Sequence, residues 1–570
     1  MTRYVRAVIG SLIAATLTAC GGGSDSTAPA PGPAPSISTV APSRGTVGTE
    51  LTITGLNFRT GATVNVGTTR ADSITVASAT TIYARVPAGV TAGQSYPVSV
   101  KNSDGSTFQL AAAFTAVAPT LSYVNGATQP SGNSGSTVII EGSAFGDMQG
   151  TGKVLFSNGT GGTLEAVIAS AADWTDTFII TSVPSGAATG DVKVMTATGS
   201  SNALTFTIVS NAAFSPSTIA WSSTAALPVG LSGHDAQFAL VKGASVTSNV
   251  VYVTGGADST LSPRAGVLYS VVQSSGQLGA WVSTTAMPGA RAFHASVVAT
   301  PANSRVKGVG YIYVLGGIAT STGAPVTSIY RGTLAQDGSV SSWSLVGDLP
   351  AALQSLGAVI FRGDIFIGGG ATTGNAPVAT VYRARIDSLG TLGTWQAQAA
   401  LPYARAYHGF AQFGGYLYSV GGDSGAVAPF DGNYTSNGSK LNQVAYAKID
   451  LRSNNLTTAG WVVNASSLSK AVSKHTAVVA GADILVSAGL YNGAANGSSE
   501  QAYAQINSDG TVGSFAGATG AHTITSAGGK DLFNHAAVSY IDANGVAHVV
   551  VIGGDDVNAP GKMRAESWYY

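Results

Sequence analysis

Short stretches in which apolar and polar residues alternate recur from residue 35 to the end of the chain. Leu51-Thr52-Ile53-Thr54 and Tyr96-Pro97-Val98-Ser99-Val100 are typical, each bounded by Gly, Pro or Asn. Period-two alternation with such boundaries predicts half-buried β-strands joined by tight turns. The exception is the N-terminus, where Arg3 and Arg6 precede an apolar run from Ala7 to Leu17. That run is too short to span a bilayer of about 30 Å and reads as the apolar core of an export signal. Gly21 to Ser26 and the Pro/Ala run from Ala28 to Pro35 follow it, a flexible segment and then an extended spacer.

The signal ends in Leu17-Thr18-Ala19-Cys20, and Cys20 is the one cysteine of the chain. The tetrapeptide resembles the bacterial lipobox. The resemblance implies a signal peptide over 1–19, cleavage before a lipidated (palmitate-type acylated) Cys20, and a tether over 20–34. Gly21 rather than Asp after the cysteine implies sorting to the outer membrane. We therefore expect a lipid-anchored protein of the cell outer membrane, facing the exterior, since a long stalk suits a narrow periplasm poorly.

Residues 35–116 carry Ile37, Val40-Ala41-Pro42, Gly45, Gly48-Thr49, Ile53-Thr54-Gly55-Leu56-Asn57-Phe58, Val86-Pro87 and Phe114. This order resembles the IPT/TIG family of immunoglobulin-like domains. A second copy over 118–209 has Gly135-Ser136, Ile140-Glu141-Gly142-Ser143-Ala144-Phe145-Gly146, Trp174 and Val183-Pro184. Two β-sandwiches acting as a stalk are expected.

From about residue 214 one unit repeats six times. A Gly-Gly pair closes an apolar strand at Gly255-Gly256, Gly316-Gly317, Gly369-Gly370, Gly421-Gly422 and Gly553-Gly554, with Ala488-Gly489 in the fifth unit. An aromatic follows at Tyr269, Tyr330, Tyr382, Tyr446, Tyr503 and Trp568. A turn and a Trp or Phe then end the unit, as at Trp281, Trp343, Trp395 and Phe515. A repeat of 52 to 67 residues is a propeller-blade signature. The order resembles the kelch repeat, which implies four antiparallel strands per blade and a polar lead-in to the inner strand, such as Leu401 to His408. The last unit lacks its fourth strand, and Ile219 to Trp221 has the right spacing to supply it. The expected fold is all-β: two Ig-like sandwiches, then a six-bladed kelch-type propeller over 214–570 closed by an N-terminal strand.

Composition narrows the chemistry. Charged residues make up 9% of the chain, and 27 basic residues balance 27 acidic ones. No basic excess points to nucleic acid. One cysteine excludes disulfide frameworks and the cysteine–tyrosine copper centre of galactose oxidase, the kelch-type enzyme. Five histidines recur at one blade position, His234, His294, His408, His475 and His535, with Leu356 in the third blade. Each has its own blade, so bonding to neighbouring backbone is the expected role. His522 and His548 stand alone.

No cofactor, metal site or catalytic set is expected. Asp555-Asp556 with Asn558 has no recognised calcium spacing. The face carrying the lead-in loops and the loops after Gly-Gly brings together Asp258, Arg264, Arg291, Arg405, Asp423, Phe430, Tyr434, Lys474, Asp555 and Asp556. Mixed charges with aromatic rings suit a glycan or a protein partner, so adhesion or carbohydrate binding is the leading expectation. The rival is a sugar-modifying enzyme of the sialic-acid mutarotase type, using Arg291 or Arg405 with Glu500 or Glu566 for proton transfer. A third is a structural component of an envelope assembly.

Overall fold

Alternating residues become ladders wherever a turn allows the chain to return, and here they do so almost throughout. A computed structural model describes residues 32–208, 220–242, 247–426, 439–491, 497–517, 532–541, 546–556 and 563–570. Cys20, the tether as far as residue 31, Phe430, Tyr434, His522 and Asn558 lie outside them. No helix among the described residues is long and apolar enough to cross a membrane.

The chain divides into two compact units, the first built from residues within 1–114 and the second chiefly from 115–570. In the first, Glu50–Leu56 lies between Ser36–Ala41 and Thr81–Arg85, and Ser95–Lys101 pairs with Thr63–Val66. Leu51, Ile53, Val64, Ile82, Val98, Val100 and Phe114 are buried between these sheets. Gly55 is required because a Cβ there would collide with the Ser36 carbonyl and come within 2.6 Å of the Phe58 ring.

The second unit opens with a sandwich of the same strand order. Thr137–Ser143 lies between Thr120–Val124 and Phe178–Ser182, and Gly190–Thr196 pairs with Lys153–Ser157 and Leu204–Ile208. Gly142 repeats the role of Gly55, hemmed in by the Thr120 carbonyl and the Phe145 ring. The core adds Trp174, whose Nε1 donates to the Phe145 carbonyl at 3.1 Å.

Six radial sheets follow. Blade 1 is Asp235–Lys242, Thr247–Thr254, Val267–Val271 and Val282–Ser283; blades 2, 3 and 4 begin at Ala295–Ala299, Gly357–Phe361 and Gly409–Phe413. Blades 5 and 6 begin at Thr476–Ala480 and Ala536–Ile541, and Leu532–Phe533 joins their sheets by pairing with Asp555 and Asp556 and, at Leu532, with Ser498. The outer strand of blade 6 does come from the N-terminal side, but it is Ser222–Thr224, paired with Ser567 to Tyr569. This corrects the expected 219–221 strand. The ladder starts after the tryptophan, as it does after Trp281 in blade 1 and Trp395 in blade 3, while Trp221 packs against buried residues of blades 5 and 6.

Blades are tied to their neighbours by repeated polar bonds as well as apolar packing. Trp281, Trp343, Trp395 and Trp461 each donate through Nε1 to a carbonyl of the preceding blade, at Ala225, Thr285, Asp348 and Ala399. Tyr252 and Tyr313 donate to the turn carbonyls of Gly338 and Gly390 in the following blade, both at 2.7 Å.

Candidate functional site

The lead-in loops converge on the propeller axis, and the residue before each wedge position, the recurring histidine or Leu356 in blade 3, adopts a left-handed backbone. These residues are Gly233, Phe293, Ser355, Tyr407, Lys474 and Asn534, with φ between 51° and 59°. They form a closed ring of backbone hydrogen bonds. Gly233 donates to Asn534, Asn534 to Lys474, Lys474 to Tyr407, Tyr407 to Ser355, Ser355 to Phe293 and Phe293 back to Gly233, at 2.7–3.1 Å. The ring satisfies amides that would otherwise face the axis unpaired. Above it Phe293 and Tyr407 meet edge to face at 6.1 Å, and the Lys474 ammonium lies 5.0 Å from the Tyr407 ring centre.

Left-handed geometry at this point turns the next side chain sideways into the seam between blades. There the histidines stand. A Cβ on Gly255, Gly369, Gly421 or Gly553 would come within 2.6–2.9 Å of a ring carbon of His294, His408, His475 or His234 in the following blade. The second glycine of each pair admits the wedge residue of its own blade: Gly256, Gly317, Gly422, Gly489 and Gly554 each face a histidine Cβ at 2.7–2.8 Å, and Gly370 faces that of Leu356 at 2.9 Å. His234 bonds the Ile552 carbonyl at 3.1 Å, His294 the Thr254 hydroxyl at 2.8 Å and His535 the Thr476 hydroxyl at 2.9 Å. The expected backbone-facing role thus extends to side-chain hydroxyls and, above all, to packing on glycine.

Burial disfavours the charged imidazole. It holds His234 and His475 down at about 4 and His294 and His535 at about 3, and pushes His408 well below its ordinary value. Below these wedges a cavity of about 630 Å³ runs inside the inner strands, with Asn133 of the second sandwich among its lining residues. Asp235 borders it and is engaged by Ser296, yet burial raises its carboxyl above the usual range.

The loop residues expected on the binding rim are mostly turned inward. Arg405 is fully buried, donating to the Gly421 carbonyl at 2.9 Å, and burial lowers it to about 10. Arg291 is buried against the Tyr330 ring, 4.6 Å from its centre, and bonds Ser328. Asp423 is buried and bonds Gly425 N and the Ser439 hydroxyl. Asp258 is held well down, to about 2, first by the Thr260 hydroxyl, and pairs with Arg264.

Asp555 takes bonds from Ser232 and Asn534 and is raised by burial, whereas Asp556 pairs with Arg564. Lys474 is buried over Tyr407. Among the described residues of this set only Arg264 has a broadly exposed side chain, at 48%. His548 bonds the Tyr570 carbonyl at 3.0 Å. Among the described residues no group of three or more His, Cys, Asp or Glu could hold a metal ion.

The opposite face is occupied by the second sandwich. Thr128 N and Gln129 N donate to the Pro301 carbonyl, both at 3.1 Å. Glu141 pairs with Arg305 at 2.6 Å and Arg362 at 3.6 Å, and Asp173 pairs with Arg452 at 2.9 Å. Burial lowers Arg362 to about 10, with Glu141 opposing the shift.

These features define an all-β protein with immunoglobulin-like domains and a six-bladed propeller head. The IPT/TIG domain model matches residues 35–116. No curated protein matches the chain. Among solved structures, one described as "Structure of YjhT" is 15% identical, the alignment covering 60% of this chain and 95% of that one with a TM-score of 0.43.

Proposed function

We propose that the chain is a membrane-anchored binding protein. Cys20 carries the lipid, the sandwiches act as a spacer, and the lead-in face of the propeller recognises a glycan or protein partner outside the cell. The observation that carries this reading is polarity. The second sandwich contacts the turns at Pro301, Arg305, Arg362 and Arg452, leaving the lead-in and post-Gly-Gly loops on the other face. Loops on a rigid scaffold are where recognition is usually built.

The connection from Gly422 to Gln443 is the longest of that set in sequence and contains Phe430 and Tyr434. Arg291 and Arg405 are engaged within the scaffold, which favours binding by loops over arginine-assisted proton transfer.

The test uses intact cells making the wild-type chain and its Cys20→Ala form. External protease should remove the propeller from wild-type cells, and the substituted chain should leave the membrane fraction. Protection of the propeller until the outer membrane is opened would overturn outward display. Purified Cys20→Ala protein should then bind on a glycan array or to intact cells. Phe430→Ala with Tyr434→Ala should weaken that binding about tenfold without lowering Tm, in keeping with the share that aromatic anchors hold in interfaces; undiminished binding would remove this loop from the site.

A further inference from the structure

Five of the six blades carry a buried imidazole in the seam to the preceding blade, and the third carries Leu356 instead. The seam between blades 2 and 3 is correspondingly apolar. The first glycine there, Gly316, faces the Leu353 carbonyl and Leu349 Cδ1, and Leu349, Leu353 and Leu356 belong to a core shared by the two blades.

The imidazoles also sense one another around the axis. His234 acts on His294 and on His535, and His475 acts on His408 and His535. The charged groups beside the ring add to this repulsion. Arg291 faces His294, and Arg405 faces both His408 and His475. Of the other charges at this level, Lys474 and Asp555 act on each other, while Asp235 is engaged by Ser296 and borders the same cavity as His294. No described carboxylate lies within ion-pair distance of a ring histidine.

We propose that the histidine wedges form an acid-operated release: protonation opens five blade seams together while blades 2 and 3 remain joined as a pair. The first proton placed in a seam must be solvated, which forces imidazole and glycine apart. Each opened seam loosens a member of the backbone ring at the axis, so the next seam opens more easily. The sign follows from linkage. An imidazole depressed in the folded chain takes up its proton more readily when unfolded, where its pKa is about 6.5. Its stabilising contribution is therefore complete above that pH and is lost as pH falls toward 4 and then 3.

Blade 3 supplies the control, because it shows leucine accepted at the wedge position. His408 and His475 are the positions to exchange, since neither holds a side-chain partner: no ring nitrogen of His408 is hydrogen-bonded, and His475 faces only the Val420 carbonyl. His408→Leu and His475→Leu together, in the full chain, should fold at pH 7 and lower the midpoint of the acid transition, followed by tryptophan fluorescence, by about one pH unit. An unchanged midpoint overturns the proposal.

Hydrogen exchange of the wild-type chain between pH 7 and pH 4 tests it independently of any variant. Corrected for intrinsic rates, the ring amides of Gly233, Phe293, Tyr407, Lys474 and Asn534 should lose protection together, and that of Ser355, which bridges blades 3 and 2, should lose it last. Simultaneous loss at all six positions, or retention at all six, overturns the proposal.

Discussion

His294 and Gly255 are complementary halves of one contact: the imidazole of the second blade occupies the space into which a side chain at position 255 would project, with Cε1 2.9 Å from an ideal Cβ. The Arg291 carbonyl closes the other side of that space. Three more seams repeat the contact, so a glycine that looks like a turn residue in sequence is a receptor for the next blade.

Gly255→Ala should therefore cost about 2 to 4 kcal/mol, more than left-handed geometry alone would cost, because backbone and ring both resist the added methyl. Urea unfolding of the full chain measures it. The fifth blade provides the comparison, with Ala488 already at the equivalent position at φ 54°. Ala488→Gly should change stability by less than about 1 kcal/mol.

Arg405 and Arg264 stood together as rim candidates, and the structure separates them. Arg405 is fully buried with a carbonyl partner, so Arg405→Ala should lower stability by about 3 kcal/mol through lost packing and an orphaned acceptor. Arg264→Ala removes a half-exposed ion pair and should cost less than about 1 kcal/mol. Thermal melts of the two variants check the ordering; equal losses would contradict the placement of Arg405.

Closure of the propeller depends on Ser223 opposite Trp568 and on Tyr570 bonded to Val549. A chain stopped after Arg564 leaves the edges of two strands unpaired. Its propeller should lose cooperative unfolding, and a wild-type Tm would refute the closure.

Glu141 joins the second sandwich to the propeller by facing two guanidinium groups, one of them nearly inaccessible. Glu141→Ala strands that buried charge and should cost about 1 to 3 kcal/mol. Calorimetry should then resolve the sandwich and the propeller as separate transitions. Glu141→Gln, which keeps the shape and one acceptor, should fall between the two.

Much of the fold was legible because it repeats. Gly-Gly, the following tyrosine and the turn before tryptophan recur, and each has a local requirement: left-handed backbone, seam filling and a tight turn. Gly55 with Phe58 and Gly142 with Phe145 were legible for the same reason. The rim was less legible. Asp258, Asp423 and Asp556 look like solvated loop charges in sequence, yet Asp258 and Asp423 bond within their own loops and Asp556 pairs with Arg564 on the adjacent strand.

By itself the sequence determined an all-β chain, its two sandwich motifs, six blades and the supply of the last strand from the N-terminal side, since periodicity and turn chemistry act over a few residues. Only the tertiary structure decided what fills the seams and what closes the axis. The hydrogen-bonded ring uses Gly233, Phe293, Ser355, Tyr407, Lys474 and Asn534, six different residue types, because each contributes backbone alone. A contact made between main-chain groups of six blades, each dozens of residues from the next, leaves no side-chain pattern to read.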